Sequence, residues 1–121
     1  MEADGRRLLE EARRLVATSW ASGAEARDAN GYGVDPWEEQ AVSWSLLGAI
    51  VAALEREASR NRELPLAELA AALSALARVI DADSLVEWND RPHQTQGNVV
   101  ATLERAAAGY DEKDAELVSL N

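Results

Sequence analysis

A short polar segment, residues 88–95, carries the side chains best suited to chemistry. It contains the single histidine of the chain, His93, three residues after Asp90. A histidine near neutrality can act as a general base or a metal ligand, and a carboxylate can orient it, so both residues are candidate catalytic groups. Catalysis would also need a nucleophile or an oxyanion hole, which no spacing identifies. Under the structural alternative, Asn89 and Asp90 cap the end of one helix, Thr95 caps the next, and the histidine faces solvent.

A second polar loop, residues 28–35, has part of the spacing of a calcium-binding loop. Four residues occupy positions 1, 3, 6 and 12 of that frame: Asp28, Asn30, Gly33 and Glu39. Position 5, however, is Tyr32 instead of a short oxygen-bearing side chain, and Asp35 with the proline after it begins a helix inside the frame. We therefore predict no metal site here. We expect a turn-rich connection in which Asp28 and Asn30 hydrogen-bond the local backbone.

Tryptophan supplies much of the aromatic bulk, because the chain has four Trp and no Phe. Trp44 sits on the apolar stripe of a predicted helix and is assigned to the core. Trp20, Trp37 and Trp88 lie near predicted helix ends, where each favours core filling, but the three together could wall a pocket between the two polar loops. The candidate ligand-binding residues on that hypothesis are Trp20, Asp28, Asn30, Tyr32, Trp37, Trp88, Asn89, Asp90 and His93.

The known catalytic signatures are absent from the sequence. There is no Cys, no phosphate-cradling Gly-rich motif, no Gly-x-Ser-x-Gly and no His-Glu-x-x-His. A di-iron bundle needs Glu-x-x-His on two helices, which one histidine cannot supply. Paired carboxylates such as Glu10-Glu11 and Glu38-Glu39 are adjacent in sequence and so point in different directions on a helix. We predict no cofactor and leave open whether the protein is an enzyme.

Charge limits the classes of partner. The chain has 22 acidic and 12 basic residues, a formal net charge of −10 and a pI near 4.5. Nucleic-acid binding relies on a basic face that releases counterions, so we expect no direct nucleic-acid contact. Excess carboxylates also repel an anionic membrane and favour a basic protein partner. The first residues do not resemble a signal peptide and no stretch approaches the ~20 apolar residues of a membrane span, so we expect a cytoplasmic location and no membrane partner.

Hydrophobic periodicity predicts helix 1 from about residue 4 to residue 20. Its apolar stripe consists of Leu8, Ala12, Leu15, Val16 and Trp20. A long loop with three glycines follows over residues 21–34. The sharpest boundary is at Asp35, a good N-cap residue that is followed by proline and by Glu38 as the capping-box partner. Helix 2 is therefore predicted to begin there and to form the central helix of the core.

The second half of the chain predicts one long helix and one short one. Pro65 is predicted to open helix 3, whose apolar residues repeat at three and four positions as far as Ile80. Residues 83–88 predict one or two helical turns, capped by Asp83 or Ser84.

Thr95 is predicted to cap the last main helix, which should stop near Gly109. Residues 110–121 would then dock as a short helix or form a frayed tail. The sequence thus predicts an all-α fold in one domain, residues 1–121. That domain is a bundle of four main helices plus a short helical turn, with a long loop between helices 1 and 2.

Five segments carry a resemblance to a known family: residues 20–24, 28–31, 41–50, 88–90 and 95–96. The most distinctive of them is Trp-Asn-Asp at residues 88–90 with Thr-Gln at residues 95–96. The chain resembles a family of small uncharacterised proteins from actinobacteria and their phages over roughly residues 8–107. The resemblance implies a helical fold and a bacterial or phage source. It implies no activity and assigns no catalytic residue.

Our leading functional hypothesis is a non-enzymatic binding module that recognises a protein partner through its acidic surface or a Trp-lined groove. It would act as a regulatory or inhibitory protein of a phage or its host, and one variant makes it an acidic mimic of nucleic acid. The alternative is a small-molecule-binding protein or small enzyme with a pocket between loops 28–35 and 89–95. A third hypothesis is a homodimer in which Gly48 and the alanines of helix 3 pack against a second copy.

Overall fold

Five helices and three very short strands make up the described part of the chain. The computed structural model describes residues 5–61 and 63–120, and the side chains of residues 5–60 and 63–109. The elements in order are α1 (Arg6–Thr18), β1 (Ala26–Arg27), β2 (Gly33–Val34), β3 (Ser43–Trp44), α2 (Leu46–Asn61), α3 (Leu66–Val79), α4 (Leu85–Asn89) and α5 (Gln96–Leu120). The predicted mainly helical fold, with four main helices and one short one, is confirmed, but the fold is not purely α because a small sheet lies in the loop between the first two helices.

The apolar stripes predicted for the helices form the core. On α1 the buried residues Leu8, Ala12, Leu15 and Val16 recur at the three- and four-residue spacing that places side chains on one helix face. The helix packs mainly against α5 and α2, and α3 packs against α5. Burying each large aliphatic side chain contributes roughly 1.5–3 kcal/mol, so this shared interior is the main source of stability.

The start of the second helix differs from the prediction. Asp35 does not cap it, because residues 35–41 form turns closed by bonds from Glu38 N to Asp35 O (3.0 Å) and from Ala41 N to Glu38 O (3.1 Å). The helix begins at Leu46, where the Oγ of Ser45 accepts from the Gly48 N–H at 3.0 Å, as an N-cap does. The capping-box signal was local, whereas pairing of residues 42–44 with distant backbone draws the chain into an extended form.

That pairing creates an antiparallel sheet in the order β2-β1-β3. Ala26 lies opposite Val34 on one side and Trp44 on the other. Trp44 is buried, as predicted, but on a strand instead of a helix. Its backbone N–H donates to Ser19 O at 3.1 Å, which ties the sheet to the end of α1.

Gly48 explains how the sheet lies so close to α2. A Cβ at this position would collide with the carbonyl oxygen of Glu25, so only glycine permits the approach. Gly48 therefore packs against its own chain. The proposed packing of Gly48 against a second copy is wrong, and the homodimer prediction rests on the alanines of α3 alone.

The remaining boundaries follow local signals. Ser84 accepts from Glu87 N at 3.2 Å and Thr95 from Asn98 N at 3.1 Å, which confirms both predicted caps. The last helix does not stop near Gly109 but continues to Leu120, since an interior glycine costs a helix only about 1 kcal/mol. The prediction that residues 110–121 dock or fray depends on side chains that lie outside those the structure describes.

Within residues 5–61 and 63–120, each helix falls short in length or in apolar character of what a membrane crossing requires.

Candidate functional site

Asn89 is the centre of the polar segment that the sequence singled out. Its side chain is 0% exposed. The Oδ1 accepts from Trp20 Nε1 at 2.8 Å and from Leu46 N at 3.0 Å, while Nδ2 donates to Ala21 O at 3.0 Å and to Asp90 Oδ1 at 2.9 Å. An amide side chain has two acceptor lone pairs and two N–H donors, so its capacity is fully used. We call these five residues the Asn89 network.

The network joins three parts of the fold that are distant in sequence. Asp90 extends it by accepting from the backbone N–H of Gly23 at 2.9 Å, where φ is +76°. Gln96 donates to the Val16 carbonyl at 2.8 Å and Arg91 to the Asp81 carbonyl at 2.8 Å. Asp90 is the C-cap residue of α4, as the structural alternative predicts, but capping is not the whole role of these two side chains. Asn89 ties the end of α4 to the start of α2, and both side chains bind the loop after α1.

His93 stands apart from this network. Its side chain is exposed, and the hydrogen bonds of Asp90 go to Asn89 and Gly23. Among the described residues, no hydrogen bond joins His93 to Asp90. The two candidate catalytic residues are thus close in sequence without being paired, and their role stays a prediction.

The other candidate loop forms the tight turn of the β1–β2 hairpin. Asp28 Oδ1 accepts from Asn30 N at 2.9 Å and from Tyr32 N at 3.0 Å, and Arg27 donates to Gly31 O at 2.8 Å. The prediction that Asp28 hydrogen-bonds local backbone is confirmed, whereas among the described residues the Asn30 side chain makes no such bond. Within the part of the chain that the structure describes, no three His, Asp or Glu side chains are grouped to hold a metal ion.

The hydrogen bonds observed do not join loops 28–35 and 89–95, between which the pocket was predicted. The bonds from Asn89 and Asp90 reach residues 20–23, at the base of the long loop, while the bonds of Asp28 stay within the hairpin turn. Trp20 is half-buried and Trp88 is buried, and both belong to the packing of the core. Trp37 is 57% exposed, and a pocket walled by all three indoles stays a prediction.

Trp37 is instead one of three exposed large apolar residues in the stretch 32–42, which leads from the hairpin turn to β3. Tyr32 is 70% and Val42 is 46% exposed, and the backbone of each is bonded next to β1: Asp28 N donates to Tyr32 O and Val42 N donates to Arg27 O, both at 2.9 Å. We call Tyr32, Trp37 and Val42, with the acidic residues Asp35, Glu38 and Glu39, the hairpin surface. The three large apolar side chains come from a stretch of eleven residues. Sequence reasoning noted Tyr32 and Trp37 but missed Val42, which falls within the predicted helix 2.

A groove between α1 and α2 was also missed. It has a volume of about 480 Å³. Five arginines line it: Arg7, Arg13, Arg14, Arg56 and Arg60. Three glutamates lie among them, Glu10, Glu11 and Glu57, and Ala53 forms the floor. The signal in the sequence was charged residues at the three- and four-residue spacing of one helix face on both helices. We call this the arginine groove.

Two carboxylates organise the arginine groove. Glu11 binds Arg56 at 2.6 Å and also pairs with Arg14, and Glu57 lies 3.3 Å from Arg7 and 3.2 Å from Arg60. Burial raises the pKa of Glu11, but the hydrogen bonds from Arg56 and Arg14 outweigh it and hold the pKa below its ordinary value. Glu11 therefore stays ionised between its two arginines.

The sequence matches a family of unknown function, DUF6197, over residues 2–109. The chain belongs to this family. The resemblance to an uncharacterised family is thereby confirmed. Neither the curated proteins nor the solved structures contain a match to the chain.

The DUF6197 match covers every surface described above. The Asn89 network, the hairpin surface and the arginine groove all lie within residues 2–109, whereas the last turns of α5 fall outside. Asn89 holds elements of the fold together, whereas Tyr32, Trp37 and Val42 of the hairpin surface are exposed to solvent.

Proposed function

We propose that this protein is a non-enzymatic binding module whose hairpin surface recognises a basic, partly apolar segment of a protein partner. The observation that carries the proposal is the exposure of Tyr32, Trp37 and Val42 within eleven residues of chain. Exposed aromatic clusters of this kind are typical of protein interfaces, where Trp and Tyr contribute most of the binding energy.

Charge supports a basic partner. Asp35, Glu38 and Glu39 of the hairpin surface lie in the same stretch of chain as its apolar side chains, and the sequence has no Lys, Arg or His from residue 28 to residue 55. A surface of one sign speeds the approach of an opposite charge and penalises an acidic competitor. An acidic protein of this size would suit regulation or inhibition of a basic protein, and the resemblance to actinobacterial and phage proteins suggests where to look for it.

The backbone beneath the hairpin surface supports the proposal because it is already fixed. Trp44 Nε1 donates to Pro36 O at 3.1 Å from a buried position, and Pro36 is itself buried. The β1 strand is bonded on both sides. A surface that is ordered before binding loses less conformational entropy when the partner arrives.

Selection of random peptides displayed on phage tests the proposal. We expect the folded protein to enrich peptides that combine Lys or Arg with large apolar residues. Truncation of a central interface Trp costs about 2 kcal/mol or more, so Trp37→Ala should weaken the selected peptides by roughly 30-fold. Leu66→Ala is the matched control, since Leu66 is 59% exposed but lies on α3. Peptides without basic residues, or equal binding by Trp37→Ala and wild type, would count against the proposal.

The alternative of a small-molecule site or small enzyme at Asp90 and His93 has less support. Asp90 is engaged by Asn89 and Gly23, and His93 has solvent around it. A screen of metabolites by thermal shift, with His93→Ala as comparison, checks this alternative. A stabilising ligand whose effect disappears in His93→Ala would favour it over the binding module.

A further inference from the structure

We propose that the arginine groove is a second binding site, which takes a small, multiply phosphorylated anion. The groove concentrates five of the twelve basic residues of the chain. With its three glutamates it has a formal charge of +2, in a protein whose net charge is −10. This surplus of positive charge stands in a concave site between two helices, which favours an anion there although the molecule as a whole is acidic.

The arginines keep donors available for a ligand. In the ion pairs with Glu11 and Glu57, Arg7, Arg14, Arg56 and Arg60 each use one terminal nitrogen. Their side chains remain 49% to 70% exposed. A guanidinium presents five N–H donors in a planar fork that matches phosphate oxygens two at a time. Each arginine can therefore bind a phosphoryl group through the nitrogens that are not engaged in its ion pair.

The two carboxylates prepare the groove for binding. Glu11 is 21% and Glu57 14% exposed, and each holds two arginines that reach it from different directions. Long side chains that are already held lose less entropy when they bind a ligand. The carboxylates thus have a role beyond neutralising charge, because they keep four guanidinium groups at one site.

The lining indicates the class of anion. Ala53 is the one apolar residue among the lining residues, and no aromatic ring stands there to stack on a base. A volume of about 480 Å³ is much larger than one phosphate ion and is within the ordinary range for small-molecule sites. A ligand with several phosphoryl groups and no aromatic ring fits both observations.

Isothermal titration of the full chain with tripolyphosphate tests the assignment. We expect saturable binding that weakens as salt is added. Removing a charge-assisted hydrogen bond costs on the order of tenfold in affinity, so Arg14→Gln with Arg56→Gln should reduce binding by at least that factor. Arg78→Gln, on α3, removes one positive charge outside the groove and should leave the affinity within about twofold. Thermal unfolding of each variant verifies that it is folded.

Glu10→Gln gives a test with the opposite sign. Glu10 lines the groove, is exposed and has no part in the Glu11 and Glu57 ion pairs, so its neutralisation should tighten tripolyphosphate binding severalfold without disturbing the arginines. Glu87→Gln on α4 is the charge-matched control and should change nothing. Citrate, a carboxylate anion, should bind more weakly than tripolyphosphate. No binding at millimolar tripolyphosphate, or binding that ignores every groove variant, would overturn the proposal, whatever the result for Trp37→Ala at the hairpin surface.

Discussion

Replacing Asn89 by alanine removes a buried side chain that makes four hydrogen bonds. Two of its partners, Leu46 N and Ala21 O, belong to buried residues and cannot turn to water once the amide is gone. Each buried polar group left unsatisfied costs about 1–3 kcal/mol, and Trp20 and Asp90, which are partly exposed, should rehydrate at lower cost. We therefore expect Asn89→Ala to lower the free energy of unfolding by about 2–6 kcal/mol, a large part of the roughly 5–15 kcal/mol typical of a domain.

Urea unfolding followed by far-ultraviolet circular dichroism measures this loss, and Trp fluorescence gives a second probe because Trp20 donates to Asn89. Asn30→Ala is the control, since Asn30 is exposed at the hairpin turn and should change stability by no more than about 0.5 kcal/mol. If both variants unfolded at the same urea concentration as the wild type, the Asn89 network would not be the structural centre described above, and a role for Asn89 in ligand binding would regain support.

Two further substitutions test the packing and the electrostatics. Gly48→Ala should destabilise the fold by about 2 kcal/mol or more, because the new Cβ would collide with the Glu25 carbonyl. Gly97→Ala is the control, since its Cβ would meet nothing within 4 Å and the change should be neutral or stabilise by up to about 1 kcal/mol. Differential scanning calorimetry compares the two variants. Glu11→Gln should cost up to about 1 kcal/mol at neutral pH. Since the folded pKa of Glu11 lies below its ordinary value of 4.5, this stabilisation is present above that pH and disappears as the pH falls through the folded pKa. Urea unfolding at neutral pH and near pH 3 checks the sign, and a difference that grew on acidification would contradict the ion pairs.

The two proposals use surfaces of opposite charge on one small molecule. The hairpin surface is acidic and apolar, while the arginine groove is basic and almost wholly polar. A basic partner on the first and a phosphorylated anion in the second would therefore not compete through direct contact. Variants at Trp37 and at Arg14 with Arg56 separate the two activities, because each set leaves the other surface intact.

Features that depend on neighbours within four residues could be predicted from the sequence. The buried stripe of α1 and the caps at Ser84 and Thr95 each arise from interactions one helical turn away, so the pattern of residues contains them. The polar segment around Asn89 could also be singled out, because six of the seven residues 89–95 are polar. Its chemistry could not be predicted, since the same amide suits a ligand site and a structural bond equally well.

The tertiary structure determined those features that depend on contacts between residues far apart in the sequence. Asp35 and Glu38 have the residue types of a helix start, yet the strand pairing of Val42 with Arg27 and of Trp44 with Ser19 moves that start to Leu46. Local capping contributes about 1 kcal/mol, less than several strand hydrogen bonds and a buried indole together provide. Burial is set by which parts of the chain fold over a residue and not by the residue type. For this reason the polar residue Asn89 is buried with its side chain hydrogen-bonded, whereas the large apolar residue Trp37 is exposed.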